Sequence, residues 1–221
     1  GLMCGICNGF QALIKLGLVP FGEIIDTDGS CPTLTFNTIG RHQSMLVRTR
    51  VASNKSPWLM HSKVGDIHTV AISHGEGRFV ADEALVQKLA QNGQIATQYV
   101  DLEGNPTSNI RFNPNNSVQA VEGITSPDGR VFGKMGHSER YGENLYKNVP
   151  DKMLQNLIFQ GAVERHCPGF SLFPVVPAGF FLSFSVFRRY AIGLPRRQAP
   201  TSTPEKPPCN RKPSIGLRSE E

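Results

Sequence analysis

Gly5-Ile6-Cys7-Asn8-Gly9, running on into Phe10-Gln11-Ala12-Leu13-Ile14-Lys15-Leu16-Gly17, sets a cysteine between two glycines where a short strand meets a helix. Gly-x-nucleophile-x-Gly is the pattern of a strained strand-to-helix turn that lifts a reactive side chain out of the end of a sheet. Backbone crowding at such a turn leaves no room for a Cβ, so both Gly5 and Gly9 are expected to be tightly packed. Phe10, Leu13, Ile14 and Leu16 give the next segment an apolar face, and Gly17 stands where a C-terminal cap would go. The dipole of that helix would favour the thiolate form of Cys7. A buried structural cysteine before an ordinary helix fits these five residues equally well.

A thiolate nucleophile needs a base, and the base needs a group to orient it. Of the six histidines, His137 stands out, in Val131-Phe132-Gly133-Lys134-Met135-Gly136-His137-Ser138-Glu139-Arg140. A short apolar strand delivers this histidine to a loop, with a carboxylate two residues on. Residues at i and i+2 of an extended segment share a side. Glu139 can therefore engage one imidazole nitrogen while the other faces Cys7. A surface loop with unrelated charges would explain a solitary His-x-Glu, but it accounts less well for one that accompanies an elbow.

The elbow and His137-x-Glu139 together resemble the class I (triad) glutamine amidotransferases. Among these, the chain is most similar to the C-terminal glutaminase domain of phosphoribosylformylglycinamidine synthases of the long, single-chain type. The likeness also rests on Ala12–Pro20, His74-Gly75-Glu76-Gly77-Arg78-Phe79, Gly104-Asn105-Pro106, Asn113–Ser117 and Gly123–Arg130, and it runs to about residue 164. It implies that Cys7 attacks the side-chain amide of L-glutamine, that His137 serves as base and then acid, and that Glu139 orients it. The backbone amide of Asn8 would supply half of the oxyanion hole. Gln11, Gln43, Ser44, His74 and Gly75 would bind substrate. The ammonia would pass to a synthase domain using ATP and magnesium to convert formylglycinamide ribonucleotide to its amidine, in purine (IMP) biosynthesis.

The expected architecture is an α/β, flavodoxin-like sheet with helices on both faces. The strand feeding the elbow should be a buried apolar run in a parallel sheet. Further strands are expected at Thr33–Ile39, Ser44–Val51, Val70–Ser73, Ile95–Tyr99 and Val131–Met135. A helix is expected over Glu83–Asn92, capped by Asp82 and ended by Gly93. His74–Phe79 is expected as a Gly-rich loop. The domain is expected to be N-terminally truncated, lacking its first strands and the second oxyanion donor, which is worth on the order of 3 kcal/mol. On that reading the isolated chain is weakly active or inactive.

Charge divides the chain. Residues 1–164 carry 14 Lys+Arg and 15 Asp+Glu, whereas residues 165–221 carry 9 and 3, together with nine of the sixteen prolines. The net charge of +5 therefore belongs to the tail and says nothing about the partners of the first 164 residues. The tail is expected to be disordered, and to be a frameshift or read-through product. Gly169–Phe187 is uncharged, but Pro174 and Pro177 interrupt it, which disfavours a membrane span. The arginines match no nucleic-acid-binding motif.

Cys4, Cys7, Cys31, Cys167 and Cys209 offer no paired metal-ligand spacing, so no metal is expected. Cys4 reads as a small buried hydrophobe. An odd cysteine count with a reactive thiol points to a reducing, cytoplasmic compartment. No phosphate-cradling loop is present, so no cofactor is expected in this segment, and ATP would bind in the synthase domain. The alternatives are another Cys-His-Glu hydrolase of the same fold, such as a peptidase, and a non-catalytic domain that keeps the fold.

Overall fold

The structure, a computed structural model, describes residues 1–140, 145–149 and 154–166. The expectations for the tail beyond residue 166, the segment 169–187 included, lie outside the described residues. The elements are β1 (Met3–Ile6), α1 (Asn8–Lys15), β2 (Thr33–Phe36), β3 (Gln43–Val51), β4 (Ile67–His74), β5 (Glu76–Val80), α2 (Glu83–Gln91), β6 (Ile95–Tyr99), β7 (Val121–Thr125), β8 (Val131–Lys134) and α3 (Leu154–His166). Six strands form one sheet in the order β1-β8-β7-β6-β3-β4, and β2 with β5 forms a separate two-stranded ribbon.

Successive residues of a strand point to opposite faces, and β6 shows which helices cover each. Ile95 joins Phe10, Leu13 and Ile14 of α1 and Val86 and Leu89 of α2 in one apolar cluster. Ala96 joins Val51, Leu59, Phe132 and Ile158 of α3 in another. Helices therefore lie on both faces, as expected. Asp82 caps α2 by accepting from the Leu85 N–H at 2.6 Å. α3 runs through to His166, so the boundary expected after residue 164 falls in its last turn.

The sheet is mixed rather than parallel. Among the described strands of the sheet only β1 and β8 run parallel, and every other neighbouring pair is antiparallel. β1 is also not a buried run, because it lies at the sheet edge and Met3 is exposed. The strand expected over Thr33–Ile39 stops at Phe36. There Asn37 donates from its backbone to Gly75 and from its side chain to Arg41, turning the chain. The expected loop at 74–79 is mostly strand: Gly75 alone separates β4 from β5, and β5 pairs antiparallel with β2. Glycines at 75 and 77 hid its alternation. β7 was not foreseen, because all five of its residues are buried and no period-2 pattern shows.

Candidate active site

The elbow exists as a strained turn. Cys7 has φ 55°, a left-handed conformation that costs a non-glycine residue of order 1–3 kcal/mol. Its backbone N–H donates to Lys134 O at 2.9 Å, extending the β1–β8 ladder by one step beyond Ile6. The two flanking glycines differ, which corrects the expectation for one of them. A Cβ on Gly5 would lie 2.6 Å from the Gly9 carbonyl and from Leu13 Cδ1, whereas a Cβ on Gly9 would meet nothing within 4 Å. Crowding acts on the inner side of the turn, where α1 crosses the end of β1. α1 is seated by Phe10, whose ring fills the space a side chain at Gly133 would need.

The parallel β1–β8 pair leads Cys7 and His137 to one sheet edge. Four antiparallel steps separate β8 from β4, so β4 runs in the same direction and its final residue, His74, reaches that edge as well. His137 follows β8 and is held by its N–H to Ala71 O at 2.8 Å. Its Nδ1 pairs with Glu139 Oε1 at 2.5 Å. The other ring nitrogen, Nε2, is buried and makes no hydrogen bond of regular geometry among the described residues. The Cys7 thiol is nonetheless the strongest influence on the ring. With the Glu139 hydrogen bond it outweighs burial and pushes the imidazole pKa up to about 9. Burial would raise the Glu139 carboxyl, but its hydrogen bond to His137, with backbone and charge contributions, brings the net shift down.

His74 behaves in the opposite way. It is buried and neither ring nitrogen has a partner among the described residues. Burial first, and the neighbouring His137 charge second, push its pKa down to about 4. Gln43 is the register partner of His74, and its Nε2 donates to Pro114 O at 2.7 Å. Gly75 follows His74 and accepts from Asn37 N–H at 3.0 Å. Gln11 lies one helical turn after Cys7 and donates from its backbone to Cys7 O at 3.1 Å. Asn8 is the first residue of α1, so its N–H has no intrahelical acceptor and is available to a ligand. Ser44 stands apart, because Ser44 and Ser73 take the opposite face from Gln43 and His74. Ser44 lines an open cleft of about 220 Å³ with Ile72, Arg140 and Tyr146. Cys7 lines neither this cleft nor the small enclosed cavity beside Lys134 and Ser138.

Behind His137 lies a polar layer outside the sequence expectations. Glu122, Lys134 and Thr97 are at most 3% exposed. Lys134 Nζ lies 3.2 Å from Glu122 Oε1, and Thr97 Oγ1 donates to Glu122 Oε2. The available signal was two solitary, opposite charges inside apolar stretches, Val121-Glu122-Gly123-Ile124 and Val131-Phe132-Gly133-Lys134-Met135. Cys4, half-buried, packs against the α3-side cluster, and desolvation pushes its thiol up to about 12, away from the thiolate form. Among the described residues no group of three or more His, Cys, Asp or Glu converges to hold a metal ion, and no helix is long and apolar enough to cross a membrane.

A cysteine on a strained elbow beside a histidine–glutamate couple on a mixed α/β sheet is the arrangement that a triad-type Cys-His-Glu site requires. The chain belongs to the CobB/CobQ-like glutamine amidotransferase domain family, whose profile matches residues 1–165. It is 35% identical over 150 residues to the PurQ subunit of phosphoribosylformylglycinamidine synthase from Aquifex aeolicus, covering 68% of this chain and 60% of that one. It is 39% identical over 145 residues to the PurQ subunit of Methanococcus maripaludis, covering 63% of this chain and 50% of that one. Among solved structures it is similar to PurLQS from Thermotoga maritima, with a TM-score of 0.55 and 25% identity, covering 75% of this chain and 62% of that one. The chain thus spans between half and two thirds of the length of these relatives.

Proposed function

We propose that this chain is the glutaminase part of a phosphoribosylformylglycinamidine synthase, releasing ammonia from L-glutamine for ATP-dependent amidine formation in purine biosynthesis. The observation that carries the reading is the junction of β1 and β8, where Cys7 N–H is bonded to Lys134 O three residues before His137. In the first half-reaction Cys7 Sγ attacks the amide carbon of glutamine. The proton that His137 shares with that thiol passes to the departing nitrogen, the C–N bond breaks, and ammonia leaves a glutamyl thioester. Water then attacks the thioester, giving a proton to His137, and glutamate leaves as Cys7 recovers its proton. Glu139 holds Nδ1 so that Nε2 does the transfer, and the Asn8 N–H stabilises the oxyanion.

Gln11, Gln43, His74 and Gly75 border this edge and are proposed to hold the substrate, with Ser44 in the adjoining cleft. The ammonia acceptor, ATP and magnesium are assigned to a synthase component, either a separate subunit or part of one long polypeptide, and the setting is cytoplasmic. The test is modification by a glutamine-mimicking diazoketone, with Cys7 identified by peptide mass. Stoichiometric labelling that Cys7→Ser abolishes is the expected result. No labelling when the synthase component is present would overturn the proposal in favour of a fold-keeping, non-catalytic domain.

A further inference from the structure

The turn that carries His137 leaves the sheet in the protein interior, where backbone groups that lose their ladder partners must find others. Glu122 and Lys134 supply them. Glu122 accepts the Met135 N–H with its backbone oxygen at 3.1 Å and the Gly136 N–H with Oε1 at 2.5 Å. Lys134 Nζ donates to the Gly136 carbonyl at 2.6 Å. Both polar backbone groups of the residue preceding His137 are thus gripped by oppositely charged side chains that are themselves bonded to each other. Thr97 holds the second oxygen of Glu122, so the carboxylate cannot swing away. A Cβ at Gly136 would lie 2.9 Å from Glu122 Oε1 and 2.7 Å from Val70, so the grip closes on a bare backbone.

A buried ion pair is an expensive way to stabilise a core, since apolar residues of similar volume do as well or better. Its charge-assisted hydrogen bonds are strong and directional, however, and here they act on one peptide unit. We infer that Glu122 and Lys134 are positioning residues, which fix the Gly136–His137 turn so that the imidazole meets the Cys7 thiol. This inference rests on the glutaminase reading, since it assigns the pair its purpose in that chemistry. An error of about 1 Å in placing a catalytic group can lower a rate about 100-fold.

The test compares the kinetics of Cys7 modification by the glutamine-mimicking diazoketone in the wild-type chain, His137→Ala and Glu122→Gln, with the synthase component present. The maximal inactivation rate reports chemistry, and the half-saturating reagent concentration reports binding. Glu122→Gln is expected to lower the maximal rate about 100-fold, towards that of His137→Ala, with half-saturation within twofold of wild type. A role in stability alone would reduce the fraction of protein modified and leave the rate of the folded fraction unchanged. If Glu122→Gln fails to fold by circular dichroism, the double variant Glu122→Gln/Lys134→Met, which leaves no orphaned charge, carries the same expectation. A wild-type maximal rate in the folded variant overturns the inference and leaves the glutaminase reading standing. An equal rate in wild type and His137→Ala overturns both.

Discussion

His137, just beyond β8, and His74, the last residue of β4, lie at the same sheet edge, yet their surroundings drive them in opposite directions, to about 9 and about 4. Both are buried. His137 has an acceptor on Nδ1 and a thiol beside Nε2, so its charged form is favoured in spite of burial. His74 has no partner for either nitrogen among the described residues, so burial favours the neutral ring, and the proton on His137 reinforces this. The difference shows that depth does not decide the protonation of a histidine, whereas the groups within reach do. It also separates the chemistry. One ring holds a proton beside a thiol, and the other is neutral with unused hydrogen-bonding capacity.

The comparison is broken most directly at Glu139. Glu139→Gln should lower glutamine hydrolysis by on the order of 100-fold or more, because the tautomer and orientation of the base are no longer imposed. In the same variant the His137 pKa, followed by NMR titration, should fall from about 9 towards the ordinary histidine range. A ring that kept its raised pKa would assign the effect to Cys7 alone.

A second effect appears in stability against pH. The folded pKa of His74 lies below its unfolded value, so at acid pH the unfolded chain binds a proton that the folded one refuses. Its contribution is present above about pH 6.5 and is lost as pH falls through about 4, to the extent of about 3 kcal/mol. The folded pKa of His137 lies above its unfolded value, so its contribution is full below about pH 6.5 and is lost as pH rises through about 9. Denaturant unfolding across this range should show both limbs, and His74→Leu should flatten only the acid one. An unchanged acid limb in His74→Leu would place the sensitivity elsewhere.

The smallest effect sharpens the same picture at the elbow that brings Cys7 to His137. Gly5→Ala should cost about 1–3 kcal/mol through overpacking against α1. Gly9→Ala should be neutral or stabilise by about half a kcal/mol, since its Cβ enters open space. Thermal unfolding of the two variants is the measurement, and equal losses would contradict the one-sided crowding.

Much of the site was legible because its parts are local. The elbow, the capped helix after Asp82 and the His137-x-Glu139 pair each declare themselves within a few residues. The sheet was less legible. Antiparallel pairing of β3 with β6 joins segments that no short window contains, and the five buried residues of β7 carry no alternation to read. The strand character of Glu76–Val80 was masked by Gly75 and Gly77, because glycine is neutral in any hydrophobic pattern.

What the amino-acid sequence determined alone is the chemistry on offer, a thiol, an imidazole and a carboxylate in segments whose turn residues present them outward. Tertiary structure decided their meeting. Cys7 and His137 are 130 positions apart, and only the parallel ladder of β1 with β8 brings their strand ends together. It decided equally that Glu122 and Lys134, solitary charges in two separate apolar stretches, become a bonded pair behind His137. The physical reason is that hydrogen-bond ladders and burial act between segments distant in sequence, whereas propensity and side-chain chemistry are properties of the residues themselves.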